Sequence, residues 1–144
     1  MEPRDENREG LGGMANPGRY GIERVAYWLM RLSGLGLLAY FIGHIYETSS
    51  ILRGEVGWDE LMELTSTTEL HIMLVIVIGM CVFHTVNGIR VMLGHGGVGV
   101  GRPTRPDYPY TPASQNARHK IAIYSAIVLS AIAMVYGSTV LFGV

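Results

Sequence analysis

The sequence predicts an all-α membrane protein of three transmembrane helices, with its N-terminus in the cytoplasm and its C-terminus outside. Of the 144 residues, 49% are hydrophobic and only 16% are charged, which is apolar for a soluble protein of this size. The apolar residues cluster in three stretches, residues 25–46, 70–93 and 121–144. As helices these stretches are roughly 33 to 36 Å long, enough to cross a bilayer.

The segment before the first apolar stretch is polar. Residues 1–24 contain four Arg, four Glu and one Asp together with several Gly and Pro. They offer no apolar core of the signal-peptide kind, so we expect the N-terminus to stay in the cytoplasm. Because such a composition cannot bury enough apolar surface to fold alone, we interpret residues 1–24 as a cytoplasmic tail ordered by a partner and residues 25–144 as the three-helix transmembrane domain.

The distribution of basic residues predicts the orientation of the helices. Residues 47–69, between the first two stretches, hold six acidic residues and one basic residue, Arg53. The other ten of the 11 basic residues lie before the first stretch, between the second and third, or inside a stretch near those ends. These basic ends are predicted to face the cytoplasm.

The two connections differ in composition. The apolar spacing of residues 58–64 suits a short surface helix, whereas residues 94–112 are too rich in Gly and Pro for regular structure. The third stretch carries no charge after Lys120 and contains small residues, such as Ser130 and Gly137, that allow neighbouring helices to approach closely.

Four ionisable side chains within the predicted spans are candidate functional residues: Arg31, His44, His84 and Arg90. Such groups are costly inside a bilayer and usually face the protein interior. Neutral imidazole is the common axial ligand of b-type haem, and the interior of a helix bundle can hold that cofactor. His44 and His84 are therefore candidate haem ligands. The remaining histidines are expected to be solvated at the membrane interface; they are His71, His95 and His119.

His44 and His84 are predicted to lie at different depths. Whether residues are counted from the two arginines or from the external ends of the spans, the depths of the two histidines differ by roughly 10 to 16 Å. They therefore cannot ligate one haem together. If both bind iron there are two haems, one near the middle of the membrane at His84 and one nearer the outside at His44. Because the third helix supplies no histidine, each opposing ligand must come from another subunit.

The glycines near these histidines leave two interpretations open. Gly34, Gly36 and Gly43 on the first helix could make room for a flat macrocycle, and Gly88 would leave the turn after His84 open. Alternatively, the glycines serve helix packing and the histidines hydrogen-bond across the bundle.

Arg31 and Arg90 are predicted to lie toward the cytoplasmic side, where a guanidinium can pair with haem propionates or polarise a quinone carbonyl. Ser33 adds a hydroxyl close to Arg31. The alternative for the arginines is that they extend to the lipid headgroups.

Two motifs resemble the signatures of a known family, the cytochrome b membrane-anchor subunit (C-type subunit) of succinate dehydrogenase, also called succinate:quinone oxidoreductase or complex II. The stretch Arg31-Leu32-Ser33-Gly34 is similar to the family's Arg-x-Ser/Thr-Gly signature. The stretch His84-Thr85-Val86-Asn87-Gly88-Ile89-Arg90 is similar to its His-x-x-Asn-Gly-Ile/Leu-Arg signature. The order of the motifs and the three-span layout also agree, so the resemblance covers roughly residues 24–144.

The resemblance implies roles for individual residues. His84 would be an axial ligand of haem b, and Arg31 and Ser33 would lie near the quinone and the haem propionates. Residues 41–45, which contain His44, are similar to the corresponding segment of two-haem members, including archaeal and actinobacterial ones. The chain departs from the family at Met30, where a histidine is usual, and at Tyr27, where a serine often contacts the quinone.

The resemblance also implies partners and a location. The chain would be a non-catalytic subunit that carries electrons from succinate oxidation to a membrane quinone, for which menaquinone is expected. Its partners would be a second anchor subunit supplying the opposing histidines, an iron-sulfur subunit, a flavoprotein subunit and the lipid bilayer of a prokaryotic plasma membrane, with no nucleic acid. The alternatives are a cofactor-free structural anchor and the cytochrome b subunit of a fumarate reductase, formate dehydrogenase or hydrogenase.

Overall fold

The computed structural model describes residues 21–101 and 117–143, and these ranges are almost entirely helical. In chain order the elements are α1 (Ile22–Thr48), a 3-10 helix (Ser49–Arg53), α2 (Gly54–Thr65), α3 (Thr68–His95) and α4 (Ala117–Phe142). Within the described ranges three helical segments are long and apolar enough to span a membrane: α1 with its continuation to Thr65, α3 and α4. The predicted all-α fold with three spans is confirmed.

The polar tail and the Gly- and Pro-rich connection fall largely outside the described residues, which omit residues 1–20 and 102–116. The predicted placement of the N-terminus in the cytoplasm and of the C-terminus outside stays a prediction.

Caps and glycines set the helix ends, so each helix differs by a few residues from its predicted apolar stretch. The Thr67 side chain accepts a hydrogen bond of 3.4 Å from the backbone N–H of Leu70 and starts α3 two residues before residue 70. α4 starts four residues before residue 121, at Ala117. It ends at Phe142 rather than at residue 144, because Gly143 adopts a left-handed φ of 68°, a conformation that terminates helices.

The short surface helix expected between the first two spans is α2. It folds back against the 3-10 helix at Gly57, where an added Cβ would lie 3.1 Å from the carbonyl oxygen of Ser50. Glycine is therefore needed for this close approach. Val56 and Leu64 are exposed on the surface of α2, as expected of a helix that lies at a membrane surface or against another subunit.

The bundle is centred on α3, which packs against both α1 and α4. Glycines allow α3 and α4 to approach closely: an added Cβ on Gly79 would lie 2.5 Å from Sδ of Met134, and one on Gly137 would lie 2.7 Å from Cδ1 of Ile78. The predicted role of Gly137 in helix packing is confirmed.

The outer surface of the spans is apolar. Large side chains such as Leu35, Phe41, Met92 and Tyr136 are more than half exposed. A contiguous apolar surface of this kind is unfavourable in water and marks contact with lipid or with other subunits.

Candidate functional site

The two motifs meet at His84. Its Nδ1 lies 3.0 Å from Oγ of Ser33 on α1. The imidazole also lies directly against Gly34, since a Cβ added there would be 3.0 Å from Cε1 of His84. The glycine therefore allows the ring to reach the α1 backbone, and the serine beside it supplies a hydrogen-bond partner.

The hydrogen bonds of Ser33 favour one tautomer of His84. Ser33 is buried, and its hydroxyl donates to the carbonyl oxygen of Met30 at 3.2 Å. A hydroxyl has one hydrogen to donate, so toward His84 the Oγ atom accepts, and we assign the proton to Nδ1 on this basis. In this tautomer Nε2 carries the lone pair and is the nitrogen able to bind a metal.

Three of the four glycines considered as room for a macrocycle contact side chains of the opposing helix. Besides Gly34, an added Cβ on Gly36 would lie 2.8 Å from Sδ of Met80, and one on Gly88 would lie 3.3 Å from Cε of Met30. The expectation of an open turn after His84 is therefore wrong, because Met30 occupies that space. At these three positions the packing interpretation holds. Gly43 has no atom within 4 Å of an added Cβ among the described residues.

This difference between glycines gives a matched pair of variants. Gly34→Ala is expected to destabilise the protein by about 1 to 3 kcal/mol relative to Gly43→Ala, because its methyl group would press on the His84 ring. Both variants gain the same helix propensity, roughly 1 kcal/mol, so that contribution cancels. Thermal unfolding of the purified protein in detergent measures the difference. Equal melting temperatures for the two variants would contradict the observed contact.

Asn87 and Arg90 continue the polar side of α3 beyond His84. Nε of Arg90 donates to Oδ1 of Asn87 at 2.9 Å, which fixes the orientation of the amide. Asn87 is 1% exposed, and its Nδ2 has no hydrogen-bond partner in the part of the chain that the structure describes. A buried, unpaired donor costs about 1 to 3 kcal/mol, so Nδ2 is a position where a bound water or ligand atom would be stabilising.

Arg31 lies on the surface beside the buried Ser33. Its guanidinium carbon is 4.6 Å from the centre of the Tyr27 ring, and that of Arg24 is 5.8 Å from the same ring. The cation–π contact holds Arg31 in place with roughly 0.5 to 1 kcal/mol at an exposed site. Its guanidinium is thus accessible to a molecule that binds next to α1.

His44 is near the opposite end of α1. Its side chain is 47% exposed, stacks on Tyr40 at 5.4 Å between ring centres, and has Nδ1 3.7 Å from a carboxylate oxygen of Glu47. The distance to Glu47 exceeds a hydrogen bond, but it places a carboxylate on the Nδ1 side, as beside many metal-bound histidines. His44 lines a groove of about 340 Å³ that also includes Trp58 of α2 and His71 of α3.

The two candidate ligands are far apart along the bundle. His84 is level with Ser33, and His44 lies 11 residues (44 minus 33) further along α1, about 16 Å at 1.5 Å per residue. This separation agrees with the predicted 10 to 16 Å. Within the described ranges no three His, Cys, Asp or Glu side chains form a group able to hold a metal ion, so each imidazole offers a single ligand.

The expectation that His119 is solvated is wrong. His119 lies in the first turn of α4, is 7% exposed, and has no described hydrogen-bond partner at either ring nitrogen. Gly94 and Gly99 surround it, since Cβ atoms added there would lie 3.4 Å and 3.1 Å from the ring. Of the other two histidines, His95 is exposed, while His71 is half-buried with its ring 5.6 Å from that of Phe142.

A further ionisable group, Glu23, is largely shielded from solvent, which its position in the sequence hardly indicated. Its side chain is only 12% exposed, and Oε1 lies 4.0 Å from Nζ of Lys120 at the start of α4. The sequence shows only that Glu23 lies in the first helical turn. This position does not indicate burial, because the helix dipole stabilises a carboxylate there whether or not it is buried.

A comparison with protein families supplies one match. The family model described as succinate dehydrogenase/fumarate reductase transmembrane subunit matches residues 14–135. The matched segment includes both motifs, α1 to α3 and most of α4. Comparisons with curated proteins and with solved structures found no match.

Proposed function

The chain belongs to the family of succinate dehydrogenase and fumarate reductase transmembrane subunits, and from that membership we propose that it is the C-type cytochrome b anchor of a succinate:quinone oxidoreductase. The family and the three apolar helices make it a multi-pass membrane subunit of such a complex. In the proposed role it ligates haem b, forms part of the quinone site and docks the iron-sulfur subunit, which in turn joins the flavoprotein.

The observation that carries this proposal is the contact between Ser33 and His84. The 3.0 Å hydrogen bond joins the two signature motifs at Nδ1 of His84 and leaves Nε2 available for the proposed bond to iron. A histidine whose Nδ1–H is held by a hydrogen bond is the usual arrangement at a metal site, because that bond sets the tautomer and the ring orientation. The donor chemistry therefore fits haem.

A bound haem b would supply one-electron transfer between the iron-sulfur clusters and the quinone. His84 would provide one axial ligand through Nε2. Because the His84 ring lies against Gly34 of α1, a further histidine for this haem would come from a second anchor subunit. Arg90, held by Asn87, would pair with a propionate.

The quinone site is proposed to lie at Arg31. The guanidinium is exposed, Tyr27 holds it, and buried Ser33 lies two residues further along α1. A guanidinium hydrogen-bonded to a quinone carbonyl stabilises the negative charge that develops as the quinone is reduced. The basic ends of the helices would place this site on the cytoplasmic side of a prokaryotic plasma membrane.

His44 is the proposed ligand of a second haem nearer the outside. Its exposed ring is accessible to a partner, Tyr40 stacks on one face, and Glu47 lies on the Nδ1 side. The separation of about 16 Å from the level of His84 requires two haems rather than one.

A haem count tests the proposal. The purified complex is expected to contain two haem b groups per copy of this chain in a pyridine haemochrome assay, and one in His44→Ala. His95→Ala is the matched control: it removes an exposed histidine from the other end of the bundle and should leave two. One haem in the wild type would make His44 a structural residue.

The packing of Gly34, Gly36 and Gly88 also suits a cofactor-free anchor, and a wild-type complex without haem would favour that function. Succinate-dependent reduction of a quinone analogue by the same preparation distinguishes the proposed enzyme from a formate dehydrogenase or a hydrogenase.

A further inference from the structure

Tyr27 is in direct contact with the arginine of the proposed quinone site. The guanidinium carbon of Arg31 lies 4.6 Å from the centre of the Tyr27 ring, and that of Arg24 lies 5.8 Å from the same centre. The three residues follow one another at spacings of three and four, which places them on one face of α1. Because the hydroxyl is bonded to this ring, a molecule held by Arg31 has the Tyr27 hydroxyl as a neighbour.

The hydroxyl of Tyr27 is available to such a molecule. Tyr27 is 39% exposed, and the contacts of its side chain are made by the ring, with the two guanidinium groups and with the ring of Trp28, which lies edge-on at 5.9 Å between centres. Among the residues that the structure describes, none forms a hydrogen bond with the hydroxyl. A phenol hydroxyl can donate one hydrogen bond, and here that capacity is left for a bound molecule.

Among the described side chains on this part of α1, Tyr27 is the one with a proton to give at the site. Arginine stays protonated in proteins, so Arg31 offers charge and hydrogen bonds but no proton. The Ser33 hydroxyl donates to the backbone of its own helix. The carboxylate of Glu23 turns toward the start of the helix, since a Cβ added to Gly21 would lie 3.0 Å from its Oε2.

We propose that Tyr27 donates a hydrogen bond to the quinone carbonyl oxygen that Arg31 contacts and then transfers its proton to that oxygen. This inference deepens the proposed function and rests on it. Reduction of a quinone to a quinol takes up two electrons, which come from succinate, and two protons. In the transfer the phenolic O–H bond of Tyr27 breaks and an O–H bond forms on the reduced quinone. Solvent then reprotonates the phenolate and supplies the second proton at the other quinone oxygen.

The two arginines favour this step electrostatically. Positive charge beside the ring stabilises the anionic oxygen of the reduced quinone before the proton arrives, and it also stabilises the phenolate that the transfer leaves behind. The cation–π contacts with Arg24 and Arg31 keep the ring in place. The hydroxyl is therefore held beside the guanidinium without being used by the protein itself.

The test uses the intact complex carrying Tyr27→Phe, which keeps the ring and its contacts with the guanidinium groups and removes only the hydroxyl. The turnover number for succinate-dependent reduction of a short-chain quinone is expected to fall about a hundredfold, with a smaller change in the KM for quinone. The solvent deuterium isotope effect should increase, because the proton then comes directly from water and its transfer limits the rate. Haem content and succinate oxidation with a soluble dye should stay at wild-type values.

Tyr124→Phe is the matched control. Tyr124 is 55% exposed and lies near the start of α4, as Tyr27 lies near the start of α1, so the variant removes the same hydroxyl from the same end of the bundle. It should behave as the wild type. Tyrosines at this depth can serve only as anchors at the membrane interface, and equal rates in the two phenylalanine variants would assign Tyr27 that role and overturn the inference.

The kinetic constants separate failure of this inference from failure of the proposed function. With an active wild type, an unchanged turnover number in Tyr27→Phe overturns the inference alone. A raised KM for quinone at constant turnover number does the same, because the hydroxyl then binds the quinone without giving it a proton. A wild-type complex that does not reduce quinone overturns the proposed function, and this inference with it.

Discussion

Replacing His84 with alanine is expected to remove one of the two haems and to reduce succinate-dependent quinone reduction by about a hundredfold, while succinate oxidation with a soluble dye continues. The haem is lost because the variant has no imidazole at the position where Ser33 presents Nε2. The rate falls because removal of the ring also disturbs the packing of Ser33 and Gly34 beside Arg31, and displacements of about 1 Å near a reacting group can cost that much.

The measurements are a pyridine haemochrome count and parallel assays with quinone and dye on the purified complex. Ser33→Ala is an informative companion variant, because it keeps the ligand but removes its hydrogen-bond acceptor. Loss of such an orienting partner typically weakens metal binding by about 10- to 100-fold, so this variant should bind haem more weakly than the wild type. Two haems in His84→Ala would show that His84 is not a ligand.

The fold could be predicted because its main signal is the length of three apolar stretches. The predicted helix ends were less accurate than the predicted spans, because hydropathy contains no information about helix capping. Arg118, His119 and Lys120 are polar and lie before the third apolar stretch, yet α4 already begins at Ala117. Polar residues are compatible with a helix that extends past the apolar part of a membrane.

The residue type alone was enough to single out His84 as a candidate, but its contacts could not be predicted. Whether Gly34 and Gly88 make room for a cofactor or for a side chain depends on which residue of the opposing helix lies opposite each of them. The structure places His84 and Met30 there. Spacing within one helix does not contain this information.

Burial of ionisable groups was missed for the same reason. His119 is buried by Gly94 and Gly99, and Glu23 is paired with Lys120, in each case across elements that are distant in sequence. A residue at a predicted helix end is solvated in most proteins, and only the packing of three helices together reveals the exceptions.

Arg31→Gln is expected to lower quinone reduction on the order of a hundredfold, the usual cost of removing a hydrogen-bond donor from developing negative charge. Because Arg31 is exposed and its contact with Tyr27 is weak, the substitution should change stability by no more than roughly 1 kcal/mol. Haem content and dye-linked succinate oxidation should therefore remain at wild-type levels. Arg53→Gln, which removes a 62% exposed arginine from the opposite end, is the matched control.

The kinetic constants of Arg31→Gln then separate two roles of the guanidinium. If Arg31 acts on the charge that develops during reduction, the turnover number falls and the KM for quinone changes little. If instead the guanidinium binds the quinone equally well before and during reduction, the variant has a higher KM for quinone and an unchanged turnover number. Arg31→Lys keeps the charge but loses the planar pair of donors. If the contact with the quinone carbonyl depends on that geometry, quinone reduction by this variant should also be slower than in the wild type. Wild-type kinetics in Arg31→Gln would remove Arg31 from the quinone site.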